Sequence, residues 1–202
     1  MTRSSGNPIL ETLVVFLLVA VAQFATGLFG AMSGLFFLST PVTENPWTVV
    51  TSIYAHGTLA HLFSNSIALV LFGWPVARAT TRVRFHTFFI VAGALAGVSQ
   101  VWLMDVFGTA APVVGASGAI FALLGYVLAA NPISEGLASS VDVPRWFVWL
   151  VFVALAAGVT VATASPRAAL IAHFTGFLLG LVAGRARVLQ VDERRPAEGV
   201  GT

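Results

Sequence analysis

Four polar side chains in strongly apolar surroundings carry the groups needed for acyl transfer. Ser117 lies in the stretch VVGASGAIFALLGY, His173 in LIAHFTGFLLG, and His61 and Asn65 in LAHLFSNSIAL. A serine becomes an effective nucleophile when a neutral histidine takes its proton. The oxyanion that then forms needs hydrogen-bond donors, such as an amide, a second imidazole or the N–H groups at a helix start. These residue types therefore predict a Ser-His dyad with an oxyanion hole, provided that the fold brings them together.

The composition indicates an integral membrane protein. Of the 202 residues, 57% are hydrophobic and only 9% are charged, whereas about 25% of the residues of soluble domains are charged. All ten basic residues are arginines at the ends of apolar segments, so no nucleic-acid-binding patch is predicted. Because cysteine is absent, thiol nucleophiles, disulfides and cysteine metal sites are excluded.

Six apolar segments predict an all-α membrane protein, folded as one compact bundle of six transmembrane helices. The segments are 9–29, 52 or 58 to 77, 85–104, 117–131, 146–163 and 168–183. They make up a membrane domain at 9–189, between a tail at 1–8 and a charged tail at 190–202. We interpret the first segment as a span and not as a signal peptide, because its apolar run continues past the small residues at 20–22. The loop at 30–51, which contains Trp47, is expected to lie in the membrane interface.

The arginines predict the orientation of the chain. Nine of them fall on one side of the predicted spans, and one, Arg167, falls on the other. Cytoplasmic loops carry the excess of basic residues. Both termini are therefore expected in the cytoplasm, and the absence of a transit peptide favours a prokaryotic cell membrane.

The fourth helix is predicted to be too short to span. It can begin at Ser117, whose side chain can cap exposed N–H groups, and it must end near Asn131 because Pro132 follows. Its roughly 14 residues reach about 21 Å, against a hydrocarbon core of about 30 Å. Ser117 is therefore expected to lie inside the bilayer.

The candidate residues are predicted to share one depth. Counted from the inner ends of their helices, Asn65, Ser117 and His173 lie 13, 14 and 12 residues away, or about 18 to 21 Å at 1.5 Å per residue. His61 lies one turn above Asn65 on the same face. This agreement favours one shared site towards the outer side of the membrane.

Small residues are predicted to bring the fourth and sixth helices together. Such faces allow two helix backbones to approach closely in lipid, and Ser117 adjoins one face while His173 adjoins the other. We expect the two side chains to meet within hydrogen-bonding reach. The two faces consist of Gly118, Ala122, Gly125 and Ala129 on the fourth helix and of Ala172, Gly176, Gly180 and Gly184 on the sixth.

Three motifs, each on a predicted helix, resemble those of one known family. They are HLFSN at 61–65 (H-x-x-x-N), GASG at 115–118 (G-x-S-G) and AHFTGFLLG at 172–180 (A-H-x-x-G-x-x-x-G). From about Trp47 to Gly184, the chain resembles a rhomboid intramembrane serine protease of the minimal six-helix type. G-x-S-G alone is a weak signal, but the three motifs in order on the expected helices are a strong one.

The resemblance implies roles for the residues of these motifs. Ser117 would be the nucleophile, His173 the general base, and His61, Asn65 and the Ser117 N–H the oxyanion hole. The loop at 30–51 would lie along the membrane, and the fifth helix would gate lateral entry of substrate. Gly115, Gly118, Gly176 and Gly180 would be structural residues of the site.

Two positions depart from the family pattern. The family often has Trp-Arg in the first loop, but this chain has Trp47 followed by Thr48, which puts the usual anchoring of that loop in doubt. Where many members carry a tyrosine packed on the catalytic histidine, this chain has Phe121, whose ring can still stack on the imidazole. We expect the histidine to keep its orientation.

The residues favour a membrane endopeptidase that cleaves transmembrane segments of single-pass proteins within the lipid, without a cofactor. No carboxylate lies at the depth of the histidine, so a dyad is predicted instead of a triad.

One alternative is a catalytically inactive relative that binds transmembrane helices, and another is a proton or small-molecule pathway. A zinc site formed by His56, His61 and His173 is disfavoured, because no carboxylate or H-E-x-x-H motif accompanies these histidines. His56 is expected either to line the outer mouth of the site or to lie at the membrane interface, of which we favour the interface, and His86 is expected to be solvated.

Overall fold

The computed structural model of the protein describes residues 6–130, 144–163 and 169–190. In these three ranges the chain forms helices and no strand, apart from one isolated bridge between Leu38 and Val113. In chain order the helices are α1 (Pro8–Gly27), α2 (Met32–Phe36), α3 (Thr48–Tyr54), α4 (Leu59–Ala79), α5 (Arg82–Val106), α6 (Ser117–Ala129), α7 (Arg145–Ala162) and α8 (Leu170–Arg185).

The prediction of an all-helical fold is confirmed for the described residues, and each predicted apolar segment corresponds to one apolar helix of 13 to 25 residues. Three helices, α1, α4 and α5, are long and apolar enough to cross a membrane. Helices α6, α7 and α8 are also apolar but shorter. The predicted connection at 131–143, the turn around Arg167 and most of both tails lie outside the described residues.

Side-chain caps mark the starts of three helices but not of α6. Asn7, Thr58 and Thr81 accept hydrogen bonds from the first turns of α1, α4 and α5. Helix α6 follows Ala116 without any side-chain cap, so the capping role predicted for Ser117 is wrong. The Ser117 hydroxyl instead makes a contact with another helix, described below. As predicted, α6 is short, with 13 residues.

Helices α6 and α8 touch along their backbones. A Cβ added to Gly176 would collide with the backbone of Gly118, and one added to Gly180 would collide with the backbone of Ala122. One turn further on, a Cβ on Gly184 would lie 2.6 Å from the Tyr126 carbonyl oxygen. The predicted close approach of the two small-residue faces is therefore confirmed, and any side chain at these glycines would push the helices apart.

The first loop is tied both to itself and to the segment before α6. The Trp47 indole N–H donates to the Gly34 carbonyl over 3.0 Å, and the Thr51 hydroxyl donates to the Leu35 carbonyl over 2.6 Å. Leu38 and Val113 exchange two backbone hydrogen bonds of 2.9 and 3.0 Å. The loop is thus anchored without the arginine that the family often carries after the tryptophan.

A buried glutamine attaches the end of α1 to the loop before α4. The Gln23 amide accepts from the His56 N–H over 3.0 Å and donates to the His56 carbonyl over 3.2 Å. The His56 ring packs edge-on against Phe16, and His56 is only 8% exposed. The prediction of an interfacial His56 is therefore wrong, because α1 covers this loop.

A carboxylate joins the other end of α1 to α5. Glu11 Oε2 lies 2.7 Å from Arg82 Nε and 2.8 Å from His86 Nε2. His86 is therefore paired with Glu11, which corrects the prediction that it is merely solvated. Since α5 also packs against α6 and α8, this contact connects α1 to the helices that carry the candidate site.

Candidate active site

The candidate nucleophile and the candidate base are in direct contact. Ser117 stands at the first position of α6, and its Oγ lies 3.0 Å from His173 Nε2 on α8. This is the distance of a hydrogen bond between a hydroxyl and an imidazole. The contact exists because the glycine faces of α6 and α8 bring the two backbones together just below it. The expectation that the two side chains meet is confirmed.

The His173 ring is enclosed and held by an aromatic neighbour. His173 is 8% exposed, and the Phe121 ring, one turn after Ser117, lies 4.3 Å from its centroid at an interplanar angle of 31°. The stacking expected for Phe121 is therefore present. Among the described residues, Nδ1 of His173 has no hydrogen-bond partner. In the part of the chain that the structure describes, no carboxylate bonds to the far side of the imidazole.

The other two candidates converge on the residue that opens the G-x-S-G motif. A Cβ on Gly115 would lie 2.6 Å from His61 Cε1 and 3.6 Å from Asn65 Nδ2, so both side chains face this backbone. Asn65 is 6% exposed, and its Nδ2 has no partner among the described residues. A buried donor without an acceptor is costly to fold around and calls for an explanation. A negatively charged oxygen placed here during a reaction would provide the missing acceptor.

Gly115 is required for this arrangement by both its backbone and its surroundings. Its φ of +126° lies in a region that side-chain-bearing residues rarely adopt. The His61 ring occupies the place where a Cβ would stand. The Gly115 N–H donates to the Ser52 carbonyl over 2.9 Å, which fixes the approach of the loop to α6.

Gly115→Ala is expected to abolish most activity of the site, because the methyl group displaces His61 and the turn before Ser117. We expect a loss of about 10²-fold or more in kcat, as for a misplacement of about 1 Å. The matched control is Gly108→Ala, since Gly108 also has a positive φ, of +68°, but no described atom lies within 4 Å of its Cβ position. The kcat of each variant is measured, because only the variant at Gly115 adds a collision with His61 to the backbone strain. If both variants lose the same fraction of kcat, the collision is not the cause.

A small cavity adjoins the serine. Its volume is about 20 Å³, which is enough for about one water molecule. Its walls are mostly backbone and small side chains, including Gly97, Gly118 and Ala172. The cavity lies between α3, α5, α6 and the start of α8, and Ser117 is one of its lining residues.

The sequence analysis did not single out two buried glutamines near the site. Gln23 holds the loop that leads into α4, as described above, and the His56 ring on that loop lies 5.2 Å from the His61 ring. Gln100 on α5 accepts a hydrogen bond from the Ala172 N–H over 3.1 Å. A polar side chain within a predicted span is a signal that would have identified both.

The described part of the chain holds no group of three histidine or acidic side chains placed to bind a metal ion. His61 and His173 lie beside the two ends of the GASG segment, towards Gly115 and Ser117 respectively. The structure therefore gives no support to the zinc alternative.

A serine hydroxyl bonded to an imidazole, inside a bundle of apolar helices, is the arrangement expected of an intramembrane serine hydrolase. Comparison with known proteins shows the family. Residues 43–189 match the sequence model of the Rhomboid domain, and the chain therefore belongs to the rhomboid family of integral membrane proteins.

Two curated relatives are similar over most of this chain. The rhomboid protease GlpG of Haemophilus influenzae is 27% identical over 138 residues, which are 68% of this chain and 68% of that protein. RHOMBOID-like protein 5 of Arabidopsis thaliana is 29% identical over 148 residues, which are 71% of this chain but only 45% of that protein. The family includes serine proteases, of which GlpG is one.

Proposed function

We propose that this protein is an intramembrane serine endopeptidase that hydrolyses peptide bonds in transmembrane segments of other membrane proteins. The observation that carries the proposal is the 3.0 Å contact between Ser117 Oγ and His173 Nε2. Membership of a family that includes proteases supports it. A helix-binding protein without catalysis would have no need for an imidazole on that hydroxyl.

In the first half of the proposed reaction, Ser117 Oγ attacks the carbonyl carbon of the scissile bond while His173 Nε2 takes the hydroxyl proton. The tetrahedral intermediate collapses when the imidazolium returns this proton to the leaving nitrogen. The fragment N-terminal to the cut is then esterified to Ser117 through its carbonyl carbon, and the C-terminal fragment leaves with a free amine. In the second half, His173 takes a proton from water, the hydroxide attacks the ester, and the serine regains its proton. The cavity beside Ser117 is of a size to hold that water.

The oxyanion would be stabilised by Asn65, His61 and the backbone N–H of Ser117. Asn65 Nδ2 is buried and unpaired, and N–H groups in the first turn of a helix have no partner within that helix. Fixed donors in a water-poor site act strongly on charge that develops in the transition state.

Asn65→Ala is expected to lower kcat by about 10² to 10³-fold with little change in KM, because the amide acts on the transition state. Ser64→Ala is the matched control, since the Ser64 hydroxyl is exposed and donates to the His61 carbonyl of its own helix over 3.0 Å. Steady-state kinetics on the two variants give the comparison. If Asn65→Ala keeps the kcat of wild type, the Asn65 amide does not stabilise the oxyanion.

The proposed substrates are single-pass membrane proteins, which reach the site from the surrounding lipid. Helices α1, α4 and α5 reach spanning length, and we propose that α6, α7 and α8 complete a six-span bundle with both termini in the cytoplasm of a prokaryotic cell. Helix α7 packs against α8, with Ala156 buried against Phe177 and Leu181. We propose that α7 forms the lateral entrance. A substrate helix must unwind to expose its backbone, so glycine or proline near the outer surface favours cleavage.

A serine-directed reagent tests the proposal independently of any chosen substrate. Purified wild type is expected to react with a fluorophosphonate at Ser117, because activation by His173 makes this hydroxyl nucleophilic. Ser117→Ala and His173→Ala should remain unlabelled, whereas Ser66→Ala should label as wild type, since the Ser66 hydroxyl donates to the Leu62 carbonyl of its own helix. A folded wild type that neither labels nor cleaves a model transmembrane substrate would leave the inactive, helix-binding alternative.

A further inference from the structure

Gln100 links α5 to α8, the helix that carries His173. It lies near the end of α5, is only 7% exposed, and is therefore a polar side chain enclosed by protein. Its Oε1 accepts a hydrogen bond from the Ala172 N–H over 3.1 Å, across 72 positions in the sequence. Ala172 directly precedes His173.

This hydrogen bond provides an acceptor for an N–H group at the start of α8 that has none within its own helix. The first four N–H groups of a helix have no acceptor within that helix. Helix α8 begins after Ala169, whose side chain provides no cap. The Ala172 N–H is one of these first-turn donors, and a side chain from another helix satisfies it. Gln100 therefore caps α8 from outside.

The apolar contacts around the start of α8 set its distance from α5 and α6, but they do not fix its rotation. Around the start of α8, Ala172 faces Gly118, and Gly118 in turn faces Ala96 on α5, so the surfaces are methyl groups and backbone. Such contacts resist closer approach, but they permit small rotation or sliding of the first turn. A hydrogen bond to the Ala172 N–H is directional, and it fixes the turn from which the imidazole projects.

We propose that Gln100 is a positioning residue that holds His173 at hydrogen-bonding distance from Ser117 by capping the first turn of α8. The inference rests on the proposed protease function and deepens it. Gln100 is not assigned any contact with substrate. Its effect is transmitted through the backbone of Ala172 to the next residue, and so it should appear in the chemical step and not in substrate binding.

The test compares Gln100→Met with Gln100→Glu in the full-length protein. Methionine keeps the length but has only a weak sulfur acceptor, so kcat for a model transmembrane substrate should fall by about 10 to 100-fold, as expected for a displacement of up to about 1 Å. KM should stay within about twofold of wild type, and the fluorophosphonate reaction at Ser117 should slow in parallel. Glutamate keeps an acceptor oxygen at the same reach and should recover most of kcat.

Thr12→Val provides a control for the loss of one buried hydrogen bond. The Thr12 hydroxyl is fully buried and bonds to the Pro8 carbonyl over 2.8 Å within α1. This variant is expected to lower the unfolding temperature but to leave kcat unchanged. If Gln100→Met does not purify as a folded protein, Gln100→Asn replaces it, because the shorter amide keeps the polarity but cannot reach Ala172.

The outcomes separate this inference from the proposed function. If cleavage depends on Ser117 but Gln100→Met, or Gln100→Asn in its place, keeps the kcat of wild type, the inference is overturned and the protease stands. If glutamate is as inactive as the variant without the acceptor, the capping oxygen is not what matters, and the inference is again overturned. If wild type shows no cleavage that depends on Ser117, the proposed function itself fails.

Discussion

His173→Ala is expected to lower kcat/KM for a transmembrane substrate by about 10³-fold or more, because Ser117 then has no base to take its proton. Among the described residues, the Ser117 hydroxyl bonds to no titratable side chain other than His173, so no substitute base is at hand. Binding of the substrate should change little, since the imidazole acts on the reacting bond. Steady-state cleavage of a purified model substrate in detergent or in liposomes measures both parameters.

The double variant makes this prediction sharper. Because Ser117 and His173 act as one unit, the losses from Ser117→Ala and His173→Ala should not add, and the double variant should be no slower than Ser117→Ala. Circular dichroism and the unfolding temperature show whether each variant is folded. A folded His173→Ala protein that retains wild-type kcat would refute the dyad.

Gly176→Ala is expected to disable the protein by separating α6 from α8. A Cβ at residue 176 would overlap the backbone of Gly118, which is the residue after the candidate nucleophile. Backbone cannot give way as a flexible side chain can, so the helices must move apart. We expect a loss of about 1 to 3 kcal/mol in unfolding free energy and of about 10²-fold in kcat, because Ser117 and His173 lie directly beside this contact.

Gly158→Ala is the matched control for this substitution. Gly158 lies in α7, and no atom of the residues that the structure describes stands within 4 Å of its Cβ position. Alanine is favoured over glycine in a helix by about 1 kcal/mol, so this variant should be as stable as wild type or slightly more so, with unchanged kcat. The comparison requires the unfolding temperature and cleavage kinetics of both proteins. If the two variants behave alike, helix contact at Gly176 is not what positions the site.

The sequence predicted the helices and the main contact of the site because these depend on local signals. Runs of apolar residues gave the long helices, and the spacing of Gly176 and Gly180 gave the face on which α8 meets α6. Polar residues in apolar helices are rare and costly, so His61, Asn65 and His173 stood out before their positions were known. Their catalytic roles remain predictions.

Three errors in the sequence analysis have a common origin. Ser117 was expected to cap α6, His56 to lie at the interface and His86 to be solvated, which are the usual local environments of such residues. In the structure each of these side chains contacts a helix that is distant in the sequence: Ser117 contacts α8, and His56 and His86 contact α1. The residues around a position do not show which distant helix will pack against it.

The sequence by itself determined that the chain is apolar and helical, that two helices carry faces of small residues, and which side chains could form a hydrolytic site. Tertiary structure alone decided that Ser117 Oγ and His173 Nε2 lie 3.0 Å apart and that Gly115 turns at φ +126° beneath the His61 ring. It also decided that Gln100 holds the turn before the histidine. The reason is physical, because a hydrogen bond is sensitive to tenths of an ångström, whereas hydrophobic periodicity specifies only which face of a helix is buried.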